Sequence, residues 1–154
     1  METYFRPYVG EQYAYSQTKI MVLGDSHYCG ECPQCGIRGM QVSEMGDCRH
    51  FTENVQQKYL NYLKGEIQYE SWMKSLATFD KILSGDVSMT KQQRYQAWKS
   101  LLFYNFVQTA ASGVTANTAY RDEEYQRSLP YAWSIVEQYQ PDLIIVWGNR
   151  VYDT

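Results

Sequence analysis

The stretch Lys19-Ile20-Met21-Val22-Leu23-Gly24-Asp25-Ser26-His27-Tyr28-Cys29 decides how the rest of the chain is read. Ile20 to Leu23 is a short, unbroken apolar run, the pattern of a strand buried on both faces of a parallel sheet. It stops at Gly24, where the chain can turn sharply with no Cβ in the way. Four side chains able to do chemistry follow without a gap: Asp25, Ser26, His27 and Tyr28. Open parallel sheets bind ligands just beyond the carboxyl ends of their strands, so a site is expected at this turn.

Two further runs have the same character. Leu101-Leu-Phe-Tyr-Asn-Phe106 reads as a second buried strand with Asn105 at its carboxyl end, and Leu143-Ile-Ile-Val-Trp147 as a third, ending at Gly148. Between them lie helical patterns. Thr52 reads as the N-cap of a helix with Val55, Tyr59 and Leu63 on its apolar stripe and Gly65 at its end. Trp72, Leu76, Phe79 and Leu83 mark a helix from about Ser71 that Gly85 terminates, and Thr90 caps a third through about Lys99. Ala110 to Arg127 is polar and reads as a surface loop. Pro130 then opens a helix with Ala132, Ile135, Val136 and Tyr139 at helical spacing. Phe5, Tyr8 and Tyr13 of the entry segment are expected to fold back onto the domain. Apolar strands alternating with helices predict an α/β fold with a mainly parallel sheet. The last strand is followed by only the start of another crossover, so residues 1–154 are expected to form one domain lacking its C-terminal elements.

The cysteines are clustered. Cys29, Cys32 and Cys35 form a CxxCxxC pattern, and Cys48 follows, so a metal-binding loop is expected over 29–50. Thiolates two residues apart can grip one ion together, and a distant fourth completes a tetrahedron. Zinc is the expected metal, ahead of an iron–sulfur cluster, because the pattern looks like a closed staple with no redox partner. His27 and His50 are reserve ligands, and Cys32, Cys35, Cys48 and His50 make an alternative set.

Composition sets bounds on partners. A formal net charge of −3 argues against broad electrostatic binding of nucleic acid while leaving room for a small basic groove. No run approaches the ~20 apolar residues of a membrane-spanning helix, so no membrane partner is expected. The first residues have no apolar signal core, which predicts a cytoplasmic protein with cysteines used for metal rather than disulfides.

The order of motifs adds a resemblance. Gly24-Asp-Ser-His-Tyr28, then Phe103-Tyr-Asn105-Phe-Val-Gln108, then Pro141 to Gly148 resembles the uracil-DNA glycosylase superfamily over nearly the whole chain. The resemblance implies a three-layer α/β/α fold with a central mainly parallel sheet. It implies that Asp25, Ser26 and His27 position or activate a hydrolytic water beside Gly24. It also implies that Asn105 reads the base edge, with DNA or a nucleotide base as partner, while the family's histidine-containing last motif would fall past Thr154. Chemically, a carboxamide offers a donor and an acceptor to a pyrimidine edge, and Tyr28 can stack on an extruded base.

Two other classes stay open. Gly24-Asp-Ser26 also resembles the opening block of the SGNH (GDSL-type) hydrolases, with Ser26 as nucleophile and Pro141 to Asn149 similar to a later block. A third reading is a degenerate, non-catalytic zinc-containing module that binds a nucleotide, nucleic acid or protein.

Overall fold

Three apolar runs pair as parallel neighbours. We label the strands β1 (Tyr8–Val9), β2 (Ile20–Gly24), β3 (His27–Tyr28), β4 (Leu101–Asn105), β5 (Ala110–Ala111) and β6 (Leu143–Trp147). The helices are α1 (Phe51–Lys64), α2 (Lys74–Ser84), α3 (Lys91–Lys99), α4 (Asp122–Tyr139) and the short α5 (Asn149–Tyr152). These come from a computed structural model that describes residues 3–28, 46–108, 110–111 and 122–152. Among the described residues the main sheet has four strands, in the order β1-β4-β2-β6. β2 runs parallel to β4 and to β6, with Gly24 opposite both Asn105 and Trp147, while β1 pairs antiparallel with β4.

Alternation along the strands feeds two cores. Val22, Leu101 and Phe103 join Tyr59, Leu60 and Leu63 of α1, Leu76 and Phe79 of α2, and Trp98 of α3. Met21, Leu23, Leu102 and Tyr104 join Tyr125, Ala132 and Ile135 of α4 and Tyr13 of the entry segment. Each fully buried large apolar side chain contributes about 1.5–3 kcal/mol, so the two clusters are what hold helices on both faces. Phe5, Tyr8 and Tyr13 are buried as expected. Tyr8 does more than pack, because its backbone adds the antiparallel edge strand that periodicity over two residues could not reveal.

Several expected boundaries moved, each for a local reason. α1 begins at Phe51 with His50 at its N-cap, because the Thr52 hydroxyl pairs with His27 instead of capping. Its buried stripe is Thr52, Gln56, Tyr59, Leu60 and Leu63, leaving Val55 half-buried. Gly65, at φ 84°, closes the helix in the left-handed conformation that glycine tolerates. Ser71–Met73 is a 3-10 turn leading into α2. Thr90 caps α3, as expected, and Gln93 returns the bond in a capping box. The largest change concerns α4. It starts at Asp122 and carries Pro130 inside it, so residues 122–127 are helix rather than loop. Asp122, Glu123 and Glu124 give it an acidic first turn, which suits the positive end of the helix dipole.

β6 also differs from the expectation of a buried strand. It is an outer strand of the sheet among the described residues, and Leu143 and Ile144 are 48% and 37% exposed. Its start is pinned to β2: the Lys19 N–H donates to Asp142 Oδ2 at 2.8 Å, and the Asp142 N–H donates back to the Lys19 carbonyl at 2.8 Å. Among the described residues, no helix is long and apolar enough to cross a membrane.

Candidate functional site at the carboxyl end of the sheet

Parallel pairing puts the ends of β2 and β4 side by side. Beyond them the ladder continues, with the Phe106 N–H donating to the Gly24 carbonyl at 2.9 Å and the Val107 N–H to the Asp25 carbonyl at 3.0 Å. The backbone of His27–Tyr28 then pairs in parallel with Ala110–Ala111. Gly24, Asp25, Ser26, His27 and Asn105 are therefore all gathered at one end of the sheet. They do not share one face. Val22 and Phe103 face the α1–α3 side, so by the two-residue alternation Gly24 and Asn105 belong to that side. Asp25 belongs to the other, where the Tyr125 hydroxyl of α4 donates to its Oδ1 at 2.5 Å. The carboxylate and the carboxamide thus flank the strand ends from opposite sides.

Gly24 has a steric reason to be glycine. A Cβ built there would lie 2.3 Å from Asn105 Oδ1 and 3.0 Å from Phe103 Cζ. The Asn105 carboxamide occupies the space that a side chain at position 24 would fill. Asn105 is half-buried, and its side chain makes no hydrogen bond to any described residue. Its backbone carbonyl, by contrast, accepts from Gln108 Nε2 at 3.1 Å. Gly148 sits across from Asp25, its missing Cβ 3.5 Å from the Asp25 Cβ, at φ 152°. Only glycine adopts that conformation readily.

His27 is almost wholly enclosed, at 1% exposure. Its Nδ1 lies 3.1 Å from the Val107 carbonyl and its Nε2 2.7 Å from Thr52 Oγ1. A carbonyl only accepts, so Nδ1 carries the proton and the Thr52 hydroxyl donates to Nε2. The ring stacks on Phe5 at 3.9 Å and meets Phe51 edge-on at 5.7 Å. Burial pushes the imidazole down to about 3, only partly offset by the Val107 carbonyl, so it is neutral at physiological pH. This geometry ties β3 and the segment after β4 to α1. Ser26 is half-buried.

Gln108 was not anticipated and is a hub of the same region. Its Oε1 accepts the Phe5 N–H at 3.2 Å, and its own N–H donates to Ser128 Oγ of α4 at 3.0 Å. Tyr125, the partner of Asp25, was also missed, because residues 110–127 read as loop. The helical spacing of Tyr125, Ser128, Ala132 and Ile135 was the signal that could have found it.

Of the expected metal ligands, Cys48 lies exposed in the 3-10 turn Gly46–His50 that leads into α1. Cys29, Cys32 and Cys35 lie outside the described residues, and Tyr28 is described in its backbone alone. His50, the reserve ligand, has its Nδ1 engaged by the Glu53 carboxylate.

No protein-family model, no curated protein and no solved structure matches the chain.

Proposed function

We propose that the carboxyl end of the sheet is a base-binding site, and that the chain is a uracil-DNA glycosylase-like α/β/α domain that binds, or hydrolytically excises, a base of DNA. The observation that carries this reading is the Asn105 carboxamide. It rests over the bare Cα of Gly24 at a strand end, without a hydrogen bond to any described residue. An amide that the fold leaves unpaired at a half-buried position remains available to water or a ligand. One left over at the carboxyl end of a parallel sheet suits a ligand edge with a donor beside an acceptor. Asp25, steadied by Tyr125, is the carboxylate that would orient a water. A hydrolase using Ser26 as nucleophile has less support, because His27 is adjacent to it and has both ring nitrogens engaged.

The test is direct. Titration with uracil, followed by amide chemical shifts, should perturb residues 24–27 and 105–108, and Asn105→Ala should weaken binding about tenfold or more. Release of uracil from a uracil-containing oligonucleotide, abolished by Asp25→Asn, would establish hydrolysis. Absence of uracil binding to the native protein would end the reading.

Zinc belongs to the same proposal. Cys29, Cys32, Cys35 and Cys48 would hold one ion, supported by their spacing and by the position of Cys48 just before the helix that supplies Thr52 to His27. Four thiolates leave no open position, so the role is structural. Elemental analysis should give one zinc per chain, and a chelator should lower the melting temperature. Metal-free protein with an unchanged melting temperature in chelator would remove zinc, and iron with visible absorption would replace it by a cluster.

A further inference from the structure

Gln56 is the most completely buried polar side chain of α1. It is 0% exposed, and neither its Oε1 nor its Nε2 has a hydrogen-bond partner among the described residues. An unpaired buried amide is a standing loss of stability, because water has been removed and nothing replaces it. Such a group calls for a specific explanation.

Its place on α1 supplies one. The sheet-facing stripe runs Thr52, Gln56, Tyr59, Leu60, Leu63. At the start of this stripe Thr52 reaches His27, beyond the end of β2. Further along, Tyr59, Leu60 and Leu63 pack in the cluster that contains Val22, Leu101 and Phe103. α1 therefore descends along the sheet from beyond the strand ends towards their middles. Gln56 is one turn, ~6 Å, from Thr52 and one turn from Leu60. The strand residues at that intermediate level, on that same face, are Gly24 and Asn105, each next on its face after Val22 and Phe103. By this spacing, two carboxamides without hydrogen-bond partners among the described residues fall at about one level on one side of the sheet.

We infer that Gln56 is a second base-reading amide of the strand-end site, paired with Asn105, and that together they accept a planar ligand edge alternating donors and acceptors, as a pyrimidine imide does. The inference rests on the base-binding reading above. Two amides, each offering N–H donors and a carbonyl acceptor, are satisfied together by a ligand with more than one polar atom along its edge. Selectivity would follow, since a ring lacking those atoms would leave both amides unpaired.

The test separates this role from a structural one. Gln56→Met keeps the length of the side chain and removes its polar atoms; Gln56→Leu repeats the change with a different shape. Thermal melting without ligand and uracil titration are measured on the native protein, on both variants and on Asn105→Ala. We expect melting temperatures equal to or above native in at least one Gln56 variant, and uracil affinity reduced about tenfold or more in both. Native-like uracil affinity in a folded Gln56 variant, with Asn105→Ala still weakened, overturns the inference and leaves the base site standing. Melting temperatures lowered in both Gln56 variants overturn it as well, because the amide is then satisfied inside the fold, for example by an enclosed water. If the native protein binds no uracil, the base site fails and this inference fails with it.

Discussion

Asp80 and Gln56 are both buried polar side chains on the α1–α3 side of the sheet, at 3% and 0% exposure, and the structure treats them oppositely. Asp80 accepts the Tyr59 hydroxyl at 2.5 Å on one oxygen and Trp98 Nε1–H at 2.6 Å on the other. Tyr59 and Trp98 are themselves fully buried, so one carboxylate of α2 bolts α1 and α3 together through their aromatic rings. Gln56, one turn before Leu60 on the same helix, is left without partners among the described residues. A fold that can satisfy a buried carboxylate on both oxygens can satisfy an amide. The contrast separates polar groups that hold the structure from those held available near the strand ends.

The contrast breaks first if Asp80 proves dispensable. Asp80→Ala strands two buried donors, each costing about 1–3 kcal/mol, and opens a void, so a loss of about 3–5 kcal/mol in urea unfolding is expected. A loss below about 1 kcal/mol would mean the network contributes little. His27 belongs with Asp80 in this comparison, since both of its ring nitrogens are engaged. His27→Ala should cost about 2–4 kcal/mol, through the lost bonds to Val107 and Thr52 and the lost stack on Phe5. Unfolding with native stability would contradict its role as a tie between β3, the segment after β4, and α1.

Titration distinguishes Asp80 from Gln56 as well. Burial raises the Asp80 carboxyl above its ordinary value, against the opposing pull of the Tyr59 and Trp98 hydrogen bonds and the Arg94 charge. The folded state then holds that proton more tightly than the unfolded chain does. Its contribution to stability is fully present below the unfolded value of about 3.9 and is lost as pH rises towards the folded one. Relative to Asp80→Asn, the native protein should therefore lose stability on going upward from about pH 4, with a slope of at most about 1.4 kcal/mol per pH unit. The opposite slope would show that the hydrogen bonds outweigh burial. Gln56 has no charge to titrate, so its variants should run parallel to the native curve.

Much of this framework could be read from the chain because apolar runs speak directly. Ile20–Leu23, Leu101–Phe103 and Leu143–Trp147 are strands, and their carboxyl ends put Gly24 and Asn105 in one register. Glycine punctuation at 65 and 85 and the Thr90 cap were legible for the same reason: each is local chemistry. What stayed hidden depends on distant partners. Nothing in the sequence says that Tyr125 holds Asp25 or that Gln108 collects Phe5 and Ser128, because those bonds span up to 103 residues. Nor does it say that Thr52 gives its hydroxyl to His27. β6 read as buried because composition cannot tell an edge strand from a central one when both are apolar.

The smallest change in the protein tests the site most selectively. Gly24→Ala adds one methyl where Asn105 Oδ1 would be 2.3 Å away and the Phe103 ring 3.0 Å away. The carboxamide is the end of a short side chain without a hydrogen bond to a described residue, so it can swing aside with little resistance. Phe103 gives by a few tenths of an ångström inside a close-packed cluster, which limits the overall cost to about 1 kcal/mol. The fold should therefore survive while Asn105 leaves its position over the strand end. If the site reads a base through that carboxamide, uracil binding should fall about tenfold or more with melting nearly unchanged. Large destabilisation would instead place Gly24 among the structural positions beside Asp80 and His27. Unaltered binding in a stable Gly24→Ala protein would remove Asn105 from the site and leave the carboxyl end of the sheet without its reader.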